Sequence, residues 1–588
     1  MPRLSTRTLV AVCGALLAVL VAGFAWVGVR AYLAKGELEA LVPVAGDLVD
    51  AADARDLDRL GRAADTLASH ASAAWTLTRD PAWGVAQAMP VLGPNFGAVR
   101  TVAANLSAVS TSAVGPMLEL AADVQHDDDT EADGFDLALV ERAQQPLAGA
   151  ASALATADRE LSGIHGDQLL APLADGVSRL SSAIAQASPL VTSLSRAAEV
   201  LPGILGAEGA RSILFVLQNP AEPRTGGGVT GAFALLEADD GRLSLVAQAD
   251  SGVFPGRAEP IVPIPDSTVA LYGDVVGRFV PNTSMPADFT LAARLASAWW
   301  QEHSGTAPDA VVSLDPRVLA ALLEVTGPVT LADGSEVDSA NLVQRVAVDA
   351  YFELDRDAQT EFQQGVTQTV LSHVMSGGID ILAWIEALAP VIDEGRLSVW
   401  SAHDDEQRLL ADGALAGPAA RHTAAGADGF ALYLNDATAG KMGIFLEADA
   451  GIGSVECRPD GRRDVVVRVL LTNIAPADAG AEFPWWVTGG GLEGTEPGHI
   501  ALDVTVAAPP GSFFGGVTRD GELAPSTNVV DAGFPSSLAR VDIAPGGTTV
   551  VEARFTMADP RDVAPVLLTT PLLRDVSVDD AFSAACAG

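Results

Sequence analysis

The sequence predicts an α/β protein with an N-terminal transmembrane helix, an extracytoplasmic helical region, a central mixed α/β domain and a C-terminal all-β, sandwich-like module. Three observations predict it. An uncharged apolar run, Leu9–Val29, stands near the start of the chain. Residues 37–207 are rich in alanine and leucine, with apolar side chains at helical spacing, as at Leu57, Leu60, Ala64, Leu67 and Ala71. From residue 208 strand-like runs alternate with helical ones, and from residue 428 only short β-branched runs remain, separated by Gly, Pro, Asn and Asp.

The apolar run sets the first segment, residues 1–36. A helix over Leu9–Val29 is about 31 Å long at roughly 1.5 Å per residue, the thickness of a bilayer core. Arg3 and Arg7 precede it, and Arg30 and Lys35 are soon followed by Glu37, Glu39 and Asp47. That balance keeps a short tail inside and the bulk of the chain outside. A cleaved signal peptide would carry a shorter apolar region, of about 7–15 residues. No second uncharged apolar run of this length occurs, so one crossing of the cell membrane is expected.

In the helical region, 37–207, breaks fall at Asp80-Pro81, from Met89-Pro90 to Gly93-Pro94, and at the acidic run Asp127–Asp133. The acidic run lacks the glycine and terminal glutamate of a calcium-binding loop and reads as a solvated connection. The central domain, 208–427, opens on SILFVL, AFALLEA and RLSLVAQ. The helix ADFTLAARLASAWWQEHS, the strand AVVSLD and the helix PRVLAALLEVT follow. The module 428–588 carries DVVVRVLLTNI, HIALDVTVAA and TTVVEARFTM, the pattern of a β-sandwich.

Among 588 residues, 35 are Lys or Arg and 75 are Asp or Glu, for a formal net charge of −40. A general nucleic-acid surface is thereby excluded, since that needs a basic face. A phosphate-bearing partner would have to be met by a local cluster or through a cation. Of the three cysteines, Cys13 lies in the apolar run, while Cys457 and Cys586 are a disulfide candidate outside the membrane.

Gly226, Gly228 and Gly231 have the spacing of a dinucleotide-binding fingerprint, with Asp250 following. That chemistry needs a helix directly after the glycines to hold the pyrophosphate. Here AFALLEA, Asp239-Asp240-Gly241 and RLSLVAQ follow, which is a β-hairpin with no room for the helix. The phosphate-loop, metalloprotease and nucleophile-elbow patterns are missing, and the eight histidines are scattered.

What remains is a polar cluster at the end of the first strand: Asn219, Glu222, Arg224, Thr225, Gly226, Gly227 and Gly228. Consecutive glycines can expose backbone N–H groups and an arginine can grip a phosphate, so the loop can bind an anion. It can equally be a strand connection in which Glu222 and Arg224 pair internally. A second polar stretch, Gly277–Phe289, offers Arg278, Asn282 and Asp288, either as an anion clamp and cation ligand or as helix-capping chemistry. Trp299 and Trp300 on the next helix read as core.

Four ordered stretches carry a family resemblance: QNPAEPRTGGGVTGAFALLEADDGRLSL, NTSMPADFTLAARLASAWW, PDAVVSLDPRVLAALLEVTGPVTL and LYLNDATAGKMGIFL. They are similar to the successive motifs of the domain of unknown function 4012 family, found in bacterial envelope proteins with one N-terminal anchor. DPAWGVAQAMPVLGPNFGAVRTVA resembles the helical lead-in of its actinobacterial members. The order of strand, polar loop, hairpin and strand–helix unit also resembles the LytR-CpsA-Psr family of membrane-anchored phosphotransferases. Those enzymes move glycopolymers from a polyprenyl-pyrophosphate lipid onto the cell wall. That second resemblance implies that Arg224 and Arg278 face a pyrophosphate and that Asp288 holds Mg2+; in the ligand-binding reading Glu222 is the alternative holder of the cation. The chain departs from that family's pattern at SGVFPGRAEP, where Arg257 stands without an adjacent aspartate.

The expectation drawn from these readings is an extracytoplasmic, cell-envelope protein on one membrane span. It binds, and in the enzymatic version transfers, an anionic lipid-linked glycan. The alternative is a non-enzymatic scaffold or adhesion protein acting through contacts with other envelope proteins.

Overall fold

The computed structural model describes residues 6–54, 56–127, 134–376, 379–558 and 565–579, and at the N-terminus it describes side chains from Ala22 onward. Most of the acidic run 127–133 and Cys586 lie outside these residues. Cys457 is disulfide-bonded. The chain divides into two compact units, Met1–Glu131 with Ala138–Leu201, and Ala132–Leu137 with Pro202–Gly588. The compositional boundary at 427/428 therefore separates two architectures inside one unit.

The first unit is helical: α1 (Thr6–Asp53), α2 (Leu57–Thr78), α3 (Pro81–Gln87), α4 (Gly93–Val109), α5 (Gly115–Asp127), α6 (Leu137–Ser162) and α7 (Ala171–Ile204). Asp56 caps α2 by accepting from the Arg59 N–H, and Asp80 caps α3 by accepting from Ala82. Pro81 sits in the first turn of α3, where its missing N–H costs nothing. Apolar faces of α4, α6 and α7 meet in a core that includes Val102, Leu154, Leu161, Val177 and Ile184. Among the described residues no helix is long and apolar enough to cross a membrane. The expected span Leu9–Val29 lies within α1, but its side chains before Ala22 are outside the described residues.

The second unit is built on a five-stranded mixed sheet. Strands β1 (Arg211–Asn219), β2 (Val229–Asp239), β3 (Arg242–Asp250) and β4 (Ala310–Leu314) join Leu397–Ser401 in the order β3-β2-β1-β4-(397–401). β1 and β4 run parallel, and every other pairing in the sheet is antiparallel. β2 and β3 form the hairpin expected from the sequence. Its turn residues Asp240 and Gly241 have φ of 48° and 78°, the left-handed pair that suits the twist of a two-residue hairpin. The helix Phe289–Ser304 covers one face, and its Trp299 and Trp300 are buried against Leu214, Val216 and Phe233, as expected.

Residues beyond 428 form two further sheets. One orders the strands 522–523, 513–519, 548–556, 463–473, 446–457 and 577–579; the other orders 527–531, 534–543, 500–507, 429–436 and 566–569. Side chains from both sheets, among them Phe430, Leu434, Val467, Val504, Val541 and Phe555, share one core. Ala221 and Tyr351 from the α/β part belong to that same core, which is why the two architectures make one unit.

A buried charge network and a polar cleft at the strand ends

β1 ends at Asn219, and the chain then folds back on itself through Pro220–Gly228 before β2 begins. The glycines allow that return. A Cβ on Gly228 would collide with the backbone of Asn219 and Pro220, and one on Gly227, whose φ is 125°, would lie 2.6 Å from Gln218 Oε1. What approaches this backbone closely is the end of β1 itself. Three of the N–H groups are spent in the same way. Gly226 donates to Ser284 O at 3.0 Å, Gly227 to Arg224 O at 2.8 Å, and Thr225 to Asn435 Oδ1 at 3.1 Å. The loop is thus no nest of free donors for an anion.

Arg224 is sealed as well. It is 5% exposed, and its Nη1 donates to Asp436 O at 2.8 Å and to Pro223 O at 3.1 Å. Its Nη2 reaches Asn282 Oδ1 at 3.2 Å and Glu222 Oε1 at 3.4 Å. The other Glu222 oxygen receives Lys441 Nζ at 2.5 Å. Two cations and two carboxylates therefore share one interior site, with Asp436 Oδ2 4.0 Å from the guanidinium. Burial pushes the Glu222 carboxyl up, but Lys441 and Arg224 together outweigh it and hold it below its ordinary range. Asp436 goes the other way. Burial, reinforced by the negative charge of Glu222, pushes its carboxyl up to about 7.

The remaining residues expected to form a clamp do not join this cluster. Arg278 donates through Nε to Arg257 O at 2.9 Å and pairs with Asp274 at 3.1 Å. Arg257 in turn pairs with Glu302 at 2.6 Å. Asp288 caps the helix Phe289–Ser304 by accepting from Thr290 N–H at 2.9 Å. Asn282 does reach Arg224, but as an internal acceptor, and its amide nitrogen donates to Val275 O at 3.3 Å. Arg224, Arg278 and Asp288, expected to meet at a phosphate, each have a partner of their own in the structure. Of the two alternative Mg2+ candidates, Glu222 is held between two cations, and Asp288 uses one oxygen to cap a helix. Among the described residues no group of three or more His, Cys, Asp or Glu side chains could hold a metal ion.

Asn219 has a different neighbourhood. Its Oδ1 accepts from Ala221 N–H at 3.0 Å and its Nδ2 donates to the Tyr351 hydroxyl, which also receives Gln363 Nε2 at 2.8 Å. Asn219 and Gln363 stand on opposite walls of a cavity of about 90 Å³ at the carboxyl ends of β1 and β4. In an α/β sheet this is where ligands collect, because the diverging strand ends leave a crevice. Leu217 and Asn219 of β1, Ala232 of β2, and Gln248 and Asp250 of β3 form one wall. The helix Arg356–Met375 forms the other with Thr360, Gln363, Gln364 and Thr367, over a floor of Leu314, Leu319 and Leu342.

No basic side chain lines the cavity among the described residues, and of its carboxylates only Asp250 is without a cation. Asp315 accepts from the N–H groups of Arg317 and Val318 through one oxygen and binds Arg396 at 2.7 Å through the other. Asp250 spends one oxygen on Gly252 N–H at 2.8 Å. The site therefore offers amides, hydroxyls and a single acceptor carboxylate above an apolar floor. Sequence reasoning missed Gln248, Gln363 and Thr367. The available signal was the run of glutamines at 359, 363 and 364, which places amides on successive turns of one helix.

Residues 208–351 match the family described as Protein of unknown function (DUF4012). The match takes in the loop after β1, the hairpin and β4. It ends before the helix that closes the cleft and before the strand that carries Asp436. No curated protein matches the sequence.

Two outcomes follow from the charge network. Replacing Arg224 by alanine leaves Glu222 and Asp436 facing each other with one cation fewer, and it is expected to lower unfolding free energy by about 3–5 kcal/mol in urea melts. The second concerns pH. A carboxyl raised in the fold binds more protons than in the unfolded chain. Stability from Asp436 is therefore full below its unfolded range and is lost as pH rises through about 7. Glu222 has the opposite slope at lower pH, so the informative window is about pH 5–8. There the wild type should lose stability relative to Asp436→Asn, and equal slopes for the two proteins would refute the assignment.

Proposed function

We propose that the protein is a membrane-anchored, extracytoplasmic envelope protein that binds an uncharged, hydroxyl-rich group, such as a glycan presents, in the cleft at the ends of β1 and β4. The observation that carries this reading is the chemistry of the walls: amides and hydroxyls over leucines, with no lysine or arginine. Amide side chains donate and accept at once, which matches a hydroxyl, and the leucine floor suits the C–H face of a sugar ring. An anionic headgroup finds no counter-charge there. Binding without transfer is the version supported, because Arg224, Arg278 and Asp288, the residues a phosphotransferase would need, are occupied internally.

The envelope part of the reading is supported by the uncharged run Leu9–Val29 and by the disulfide at Cys457, which belongs in an oxidising compartment. Acidic surface charge keeps so large an external part soluble.

Calorimetry on the full chain in detergent tests the binding claim, with a neutral N-acetylglucosamine oligosaccharide as one probe and inorganic pyrophosphate with Mg2+ as the other. Saturable binding of the oligosaccharide is expected. It should fall at least roughly tenfold in Thr367→Trp, which fills the cleft from its helical wall. Pyrophosphate should neither bind there nor compete. Binding of pyrophosphate that Thr367→Trp abolishes would restore the anionic-glycan reading, and no binding of either probe would favour a scaffold that works through protein contacts.

A further inference from the structure

The helical unit presents a second surface. α2 runs antiparallel along α1, and contacts at three levels fix the register. Arg59 reaches Asp47 at 3.1 Å, His70 reaches Glu37 at 2.6 Å, and Arg30 donates to Leu77 O at 3.1 Å and pairs with Asp80 at 3.4 Å. Each step toward the C-terminus of α2 is a step back along α1. The end of α2 therefore lies beside Arg30, the residue directly after Leu9–Val29. α3 packs on α1. Val27 is buried although Phe24, Trp26 and Val29 around it are exposed, so protein covers one side of α1 at the last turn of the apolar run.

The corner at this level, from α3 to the start of α4, has an unusual composition. No charged side chain occurs between Asp80 and Arg100. Val85, Val91 and Leu92 are 72%, 84% and 48% exposed. Val91 has φ of 69°, a left-handed conformation that is a genuine outlier for a β-branched residue, and such strain persists where the surroundings impose it. The corner is held from inside by Trp83, which is buried, packs edge-to-face on Phe96 at 5.2 Å and donates Nε1–H to Phe96 O at 2.9 Å. Gly93 leaves no space for a Cβ against Gln87 O. A stiff, charge-free turn thus presents aliphatic side chains at the depth where the candidate span ends. Trp26, with Arg30 over its ring at 5.0 Å, and Tyr32 are exposed on α1 at that depth. Such residues mark a headgroup boundary.

We propose that the corner Pro81–Leu92 docks on the outer leaflet of the membrane, seating Val85, Val91 and Leu92 at the boundary between headgroups and acyl chains. This rests on the reading of Leu9–Val29 as a membrane span. Single apolar insertions bind weakly by themselves, but the span confines the corner to the bilayer surface, so even a small buried area suffices. The helical unit is then held to the bilayer at two points, the span and the corner, which fixes its tilt where one helix alone would leave it free to swivel.

The test uses the full chain carrying Cys13→Ala, reconstituted in nanodiscs, with an environment-sensitive nitrobenzoxadiazole label at one introduced cysteine. Val91→Cys reports on the corner, Phe24→Cys on the end of the span, and Asp65→Cys on the far part of α2, with the protein lacking an introduced cysteine as blank. Lipids bearing a shallow nitroxide should quench roughly half of the emission at positions 91 and 24 and little at 65, since insertion reaches only about 5–10 Å. Quenching at 24 but not at 91 would overturn the docking proposal and leave the span intact. An absence of quenching at 24 would remove the span and the docking proposal with it.

Discussion

The larger unit depends on a buried cluster of two cations and two carboxyl groups. Glu222, Arg224, Asp436 and Lys441 come from two stretches more than two hundred residues apart, one closing β1 and the other leaving the strand Gly429–Asp436. None could be interior alone, because an unpaired charge there costs more than a small part of the fold can supply. Neutralised together, they fix the loop after β1 against the strand end. Asp436 N–H donates to Pro223 O at 2.8 Å, and Asn435 holds both the N–H and, at 2.9 Å, the hydroxyl of Thr225. The path of that loop then orients Asn219, whose amide sets Tyr351 and, through it, Gln363 on the opposite wall of the cleft. Charge pairing in the interior thus shapes a site that contains none of those charges.

The same loop shows why local spacing misleads. Three glycines beside an arginine satisfy the pattern of an anion site, and the residue types required for that chemistry are the ones required for a tight return of the chain. What separates the two cases is where the N–H groups point and which carboxylates lie near the arginine. Both are tertiary facts. Ser284, which takes the Gly226 N–H, and Asp436, which takes Arg224, are remote in sequence, so the stretch 218–228 carries no trace of them.

The strands and helices themselves were more legible. The hairpin followed from apolar runs flanking Asp240-Gly241, the burial of Trp299 and Trp300 from helical spacing, and the change of architecture near residue 428 from the loss of helical periodicity. Asp288 was legible as a cap because its role is local, a hydrogen bond to Thr290 two residues on. The cleft was illegible for the converse reason. Its walls come from β1, β2, β3 and a helix more than a hundred residues further along, and the glutamine run on that helix marks only one of them. Only the sheet order, which places β1 at the centre beside parallel β4, brings these residues together.

A chain with 75 acidic and 35 basic residues has its own rule for arginine. Several arginines drawn inward, among the described residues, have a carboxylate close enough to take them. Arg396 pairs with Asp315 and Asp575, Arg211 with Asp309 and Glu406, and Arg224 with Glu222. An anionic ligand would have to displace one of these partners, and in the interior the displaced carboxylate would be left uncompensated at a cost of about 3–5 kcal/mol. The ligand's own charge would do no better than the one it replaced. Recognition in such a protein is more readily built from neutral groups, whose hydrogen bonds do not compete with the internal pairs. The amides and hydroxyls of the cleft, and the bare aliphatic corner of the helical unit, are both surfaces of that kind.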